Sequence, residues 1–135
     1  MSTGSRTPTE VQVQTQVAER KNGGKVPVEL VTPEFIWETA KVLEGGAKKY
    51  ARDQWRQGMK FSTCLGSLNR HIMKWAAGED IDPEFGCSHL AHAACNLMFL
   101  LNYQRMGRDD LDDRQKVKLE PSVLDQCISR DIKDE

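Results

Sequence analysis

Three stretches of this chain repeat apolar residues at helical spacing, and together they predict an all-α fold. Ile36, Ala40, Leu43 and Ala47 recur every three or four positions behind Thr32-Pro33. That pair is a helix start signal: the threonine hydroxyl caps the first turn, and proline takes a position whose N–H is not needed. Gly45-Gly46 interrupts the pattern, and either kinks the helix or lets another group approach its backbone closely. Leu65, Leu68, Ile72 and Trp75 mark a second helix from about Ser62 to Gly78, a natural stop. A third runs from a Ser88 cap to about Met106 and is stopped by Gly107. Leu90, Ala91, Ala93, Ala94, Leu97, Met98, Leu100 and Leu101 cover most of its circumference, which predicts a central position.

The expected architecture is therefore a small helical bundle of three to four main helices. Residues 1–24 are polar and aperiodic and predict a flexible N-terminal arm. Residues 25–118 form the expected helical domain, and residues 119–135 a C-terminal tail with a short helix after Pro121. Pro27 biases Val26 to Val31 toward an extended lead-in, and Lys48 to Gly58 reads as a basic and aromatic loop or frayed helix end.

Composition narrows the classes of partner. The chain has 135 residues, enough for one domain, with 19 basic and 20 acidic side chains. This balance predicts no nucleic-acid polymer and no membrane surface as partner. No apolar run reaches the roughly 18 residues of a membrane span, and the N-terminus lacks a secretory apolar stretch. Cys64, Cys87, Cys95 and Cys127 show no CxxC spacing, which argues against a zinc ribbon or redox pair and for a reducing, cytoplasmic setting. Cys64 and Cys95 read as small buried hydrophobes.

The polar exceptions on the apolar third helix carry the chemistry. His89, His92 and Asn96 share one stripe of that helix, where unpartnered polar groups are costly. Just before them, Glu79, Asp80, Asp82 and Glu84 place four carboxylates in six residues. Arg70 and His71 lie on the preceding helix, two turns before Glu79, so folding the two helices together at this turn predicts one pocket. All three histidines of the chain fall within 22 positions. Three readings compete: satisfied core histidines with acids that cap a helix; a divalent-metal site; or a metal-free anion pocket. Carboxylates suit Mg²⁺ or Mn²⁺, and imidazole pulls the preference toward Mn²⁺ or other transition metals. Lys48, Lys49, Tyr50, Trp55 and Arg56 form a second cluster, in which rings that stack on a base alternate with cations that pair with phosphate. The alternative is a solvated face with the two aromatics in the core. Lys25 behind two glycines could reach a phosphate, although the spacing is not that of a P-loop.

These residues resemble a known family of phage and bacterial proteins, the dATP/dGTP diphosphohydrolase N-terminal domain. The resemblance spans about residues 24–114 and rests on Gly46-Ala47-Lys48-Lys49-Tyr50, Trp55, Arg70-His71, Gly78 through Gly86, His89-Leu90-Ala91-His92, Asn96 and Asp112-Asp113-Arg114. It implies hydrolysis of a purine deoxynucleoside triphosphate to monophosphate and pyrophosphate with Mg²⁺ or Mn²⁺. It also implies kinship with all-α nucleoside triphosphate pyrophosphohydrolases, helical bundles that work as dimers or tetramers. Those enzymes hold metal with ExxE and ExxD motifs, where this chain offers His71, His89, His92 and Asn96 instead.

On this reading Glu79, Asp82, Glu84, His89 and His92 hold the ion, and His71, Glu79 and His92 are the catalytic groups. Lys25, Lys49, Tyr50, Trp55, Arg70, His71, Asn96, Asp113 and Arg114 bind the nucleotide, with a homo-oligomer in the cytoplasm (the host's, for a phage-encoded member) as the working form. Two alternatives stand beside it. One is a non-catalytic phage protein that sequesters a nucleotide or a nucleotide-derived defence signal. The other is a structural role in which the polar stripe serves helix packing.

Overall fold

The computed structural model describes residues 17–21, 23–116 and 120–128. Most of the expected arm, residues 1–24, lies outside them, as does the C-terminal tail on either side of 120–128. The chain divides into two compact units, Met1–Leu30 and Val31–Glu135. In the first unit the expected extended lead-in is instead partly a single 3₁₀ turn, Val28–Leu30, with the Leu30 N–H donating to the Pro27 carbonyl at 3.1 Å. The fixed φ of proline opens such a turn.

The second unit is helical as expected: α1 Pro33–Lys49, α2 Phe61–Ala76, α3 His89–Arg105 and the short α4 Pro121–Ile128. Thr32 caps α1 by accepting the Phe35 N–H at 3.2 Å, and Ser88 caps α3 by accepting the Leu90 N–H at 3.1 Å. α1 passes unbroken through Gly45-Gly46. A Cβ at Gly45 would lie 3.0 Å from the Phe85 ring, so this glycine serves close approach and not a kink. α3 is the central element, packing along α2 and against α1. Its contacts form two small cores, one around Val42, Cys87, Ala91 and Cys95, the other around Phe61, Cys64 and Tyr103. Cys64, Cys87 and Cys95 are free and buried, and burial pushes the Cys95 thiol up to about 12, so it packs as an inert apolar group.

Two ties shape the space beside α2 and α3. The buried Tyr103 hydroxyl donates to the Trp55 carbonyl at 2.5 Å, fixing the α1–α2 connection to α3. Asp113 accepts the Ser62 N–H at 2.8 Å and also bonds the Ser62 hydroxyl, capping the first turn of α2.

Between α2 and α3 the expected acidic turn is a miniature hairpin. Strand β1, Ile81–Asp82, pairs antiparallel with β2, Cys87–Ser88, with Ile81 opposite Ser88 and Asp82 opposite Cys87. The Gly86 N–H donates to the Asp82 carbonyl at 2.8 Å, with Gly86 at φ +69°. The Asp82 side chain accepts the Glu84 N–H at 2.8 Å, the local aspartate bond that favours a turn ahead of proline. Among the described residues, no helix is long and apolar enough to cross a membrane.

Candidate functional site

His71 from α2, Asp82 from β1 and His92 from α3 converge. One potential ligand atom from each lies within 4.8 Å of the others. Asp82 Oδ1 is taken up by the Glu84 amide, which leaves Oδ2 facing both imidazoles, 3.7 Å from His71 Nδ1 and 3.9 Å from His92 Nε2. The His71 and His92 rings stack in parallel with centroids 4.4 Å apart. Phe85 covers the far side of the group, its ring centroid 5.7 Å from that of His92.

Burial sets the protonation of this cluster. It lowers the His71 imidazole below its ordinary value, with the His92 ring adding to the effect. It lowers His92 as well. At Asp82 burial acts to raise the carboxyl, but the Glu84 amide and the neighbouring imidazoles outweigh it and leave the group below the usual aspartate range. The result is a carboxylate between two neutral rings. Among the described residues, buried His92 Nε2 has no hydrogen-bond partner, an arrangement that costs free energy unless a ligand satisfies it.

The cluster opens onto a cleft of about 1070 Å³ in the second unit. Lys49, Tyr50, Trp55 and Arg70 line it together with His71, Asp82, Glu84, His92 and Asn96. Its size suits a small organic ligand.

Residues 15–114 match the sequence profile of the family described as dATP/dGTP diphosphohydrolase, N-terminal. The chain belongs to this family. It is also 39% identical over 103 residues to a protein named dATP/dGTP diphosphohydrolase from Salmonella phage PMBT28. That stretch covers 76% of the chain but only 35% of the phage protein, so the chain spans about a third of that relative's length. No solved structure matches it.

The family region includes every element that builds the cleft, and the structure sorts the expected site residues into groups. Of the five expected metal ligands, Asp82 and His92 meet, and His71, expected to touch phosphate, completes their triad. Glu84 turns instead to Lys49, with Oε1 2.9 Å from Nζ, an ion pair that holds the ammonium above the usual lysine range. His89 is fully buried behind His71, the two Nδ1 atoms 2.9 Å apart, and Glu79 reaches His89 Nε2 at 3.7 Å. Tyr50 is exposed at the end of α1, whereas the Trp55 ring stacks on Phe99 at 5.0 Å and has the Arg56 guanidinium over it at 4.6 Å. Asn96 donates to Ser67 Oγ at 3.2 Å and to the His92 carbonyl at 3.0 Å. Asp113 and Arg114 sit at the start of α2, where Asp113 caps the helix and the Arg114 guanidinium lies 5.6 Å from the Phe61 ring centre. Neither lines the cleft. Lys25 belongs to the first unit and is exposed there. Sequence reasoning missed Ser67 and Phe85; the Pro83-to-Gly86 turn signal could have directed attention to Phe85.

Proposed function

We propose that this chain is a metal-dependent nucleotide pyrophosphohydrolase module that splits a purine deoxynucleoside triphosphate into its monophosphate and pyrophosphate. The observation that carries the reading is the convergence of His71, Asp82 and His92, with the partnerless His92 Nε2 among them, at a cleft lined by cations and an exposed ring. Family membership and the name of the phage relative support the same chemistry.

The donor set fits a divalent ion. Two imidazoles and one carboxylate favour Mn²⁺ or a similar transition metal over Mg²⁺, which prefers oxygen ligands alone. Such an ion, when bound, supplies Lewis-acid polarisation of a phosphoryl group. Lys49 and Arg70 bring positive charge to the phosphates, and Lys49 exchanges its Glu84 partner for substrate. Tyr50 offers an exposed face for base stacking, while Trp55, held against Phe99, contributes to the wall. Asn96 and Ser67 supply neutral hydrogen-bonding groups in the same cleft. Because burial lowers both imidazoles, His71 and His92 each keep a bare nitrogen near neutral pH.

The test is incubation of the purified chain with each deoxynucleoside triphosphate and Mn²⁺. Pyrophosphate and the monophosphate are the expected products, with dATP and dGTP preferred. Asp82→Asn, which can still accept the Glu84 N–H, should lose about 10²–10³-fold in rate. No pyrophosphate from any nucleotide at high enzyme concentration overturns the reading.

A second reading is favoured by the fact that the triad holds a single carboxylate, with Glu84 tied to Lys49. On it the cleft sequesters a nucleotide without cleaving it. Calorimetric binding that survives EDTA, with intact ligand recovered after denaturation, would select this alternative.

A further inference from the structure

We propose that Asn96 and Ser67 form the sugar subsite of the cleft, a joined acceptor and donor that bind the 3′-hydroxyl of a deoxynucleotide.

α2 and α3 face each other in matched steps. His71 stacks on His92, with ring centroids 4.4 Å apart. One turn along each helix from these rings, Asn96 Nδ2 donates to Ser67 Oγ at 3.2 Å. A further turn on, Cys64 and Phe99 belong to the apolar core around Tyr103, against which Trp55 also packs. Each of these three steps lines the cleft. The cleft therefore changes character along one axis: ionic at the triad, neutral and hydrogen-bonding about 5–6 Å farther on, apolar beyond. Phosphate, sugar and base follow one another in that order in a nucleotide.

The contacts fix which atoms the middle step presents. The His92 carbonyl can only accept, so the Asn96 atom 3.0 Å from it is the amide nitrogen and not the oxygen. The two amide hydrogens go to that carbonyl and to Ser67 Oγ, which leaves Oδ1 without a partner among the described residues. Asn96 is only 9% exposed. Yet the fully sealed, partnerless side-chain atoms among the described residues are those of His89 and His92, so Oδ1 reaches the cleft that Asn96 lines. Ser67 Oγ is occupied as an acceptor, and its own O–H finds no acceptor among the described residues.

A nearly buried acceptor beside a free donor is costly until a ligand satisfies both. A hydroxyl does so with a single atom, and deoxyribose keeps one free hydroxyl once its 5′ oxygen is esterified. Base edges carry donor and acceptor on separate atoms and lie beyond the sugar. Phosphate is better served by the Lys49 and Arg70 cations than by this uncharged pair. The assignment rests on the nucleotide reading above.

The test is calorimetry of the full chain with Mn²⁺ and two ligands: the α,β-imido analogue of dATP, whose bridging nitrogen blocks the scissile bond, and its 3′-deoxy counterpart. The 3′-hydroxyl form should bind about 10–100-fold more tightly. Ser67→Ala, which suits a helix, should bring the two forms close together, and so should Asn96→Ala; a purely structural role would weaken both forms alike. Equal binding of the two forms by the wild type, binding of neither, or a preference that Ser67→Ala leaves intact overturns the subsite. Pyrophosphate release from ordinary dATP is followed in parallel. The expected preference without turnover upholds the subsite and removes the hydrolase; turnover without the preference does the reverse.

Discussion

At Asp82 one carboxylate oxygen accepts the Glu84 amide of the turn while the other faces two imidazoles, so folding of the hairpin aims the charge. The surrounding groups have a measurable titration consequence. His71 and His92 resist protonation in the folded chain because they are buried, whereas unfolding returns them to an ordinary value near 6.5. Below that value the unfolded chain takes up protons that the folded chain refuses. Stability of the metal-free protein should therefore be fully present above the ordinary histidine value and fall as pH drops toward the lowered folded values. Asp82, also lowered, adds a further loss at more acidic pH. Urea unfolding at a series of values between about pH 5 and 8 checks this, a flat profile being the contrary result. His71→Gln with His92→Gln should flatten the upper part of the curve.

At the level of elements, the paired glycines of α1 make opposite predictions. Gly46 has open space where a Cβ would go, so Gly46→Ala should stabilise the helix by about 0.5–1 kcal/mol. Gly45 is pressed by Phe85, and Gly45→Leu should destabilise by about 1–3 kcal/mol through overpacking. Denaturant melts of the two variants compare them directly, and a stabilised Gly45→Leu would contradict the packing. The same pair marks the limit of what the sequence discloses. Cap chemistry is local, so the starts of α1 and α3 were legible at Thr32 and Ser88. Whether Gly45-Gly46 bends the helix depends on Phe85, far along the chain, and no local pattern reveals that. The hairpin was hidden for another reason: strands of two residues carry no alternation to read. Within the site, the acidic turn between two helices was legible as a meeting point for Asp82 and the histidines on either side of it. The division of the acids (Asp82 inward, Glu79 to His89, Glu84 to Lys49) is decided by side-chain contacts across elements, which spacing along a single helix does not encode.

For the molecule as a whole, unburied apolar surface is the prominent feature. Leu90, Leu97 and Leu101 form an exposed stripe on α3, and Leu65 and Ile72 a second on α2. A second copy of the chain would cover such stripes, and we expect a dimer or larger assembly. Light scattering coupled to size exclusion should give at least twice the 15.3 kDa of one chain, with Leu97→Lys moving it toward the monomer. A wild-type monomer at high concentration would contradict the expectation. The Ser62–Asp113 contact carries a consequence for how little of the chain can stand alone. The family match ends at Arg114, one residue beyond the carboxylate that plugs the open end of α2. A fragment cut just after α3 would retain all three long helices yet leave that end uncorked, its leading amides turned to solvent. A boundary drawn at Arg114 keeps this stopper in place, whereas one drawn at the end of α3 removes it.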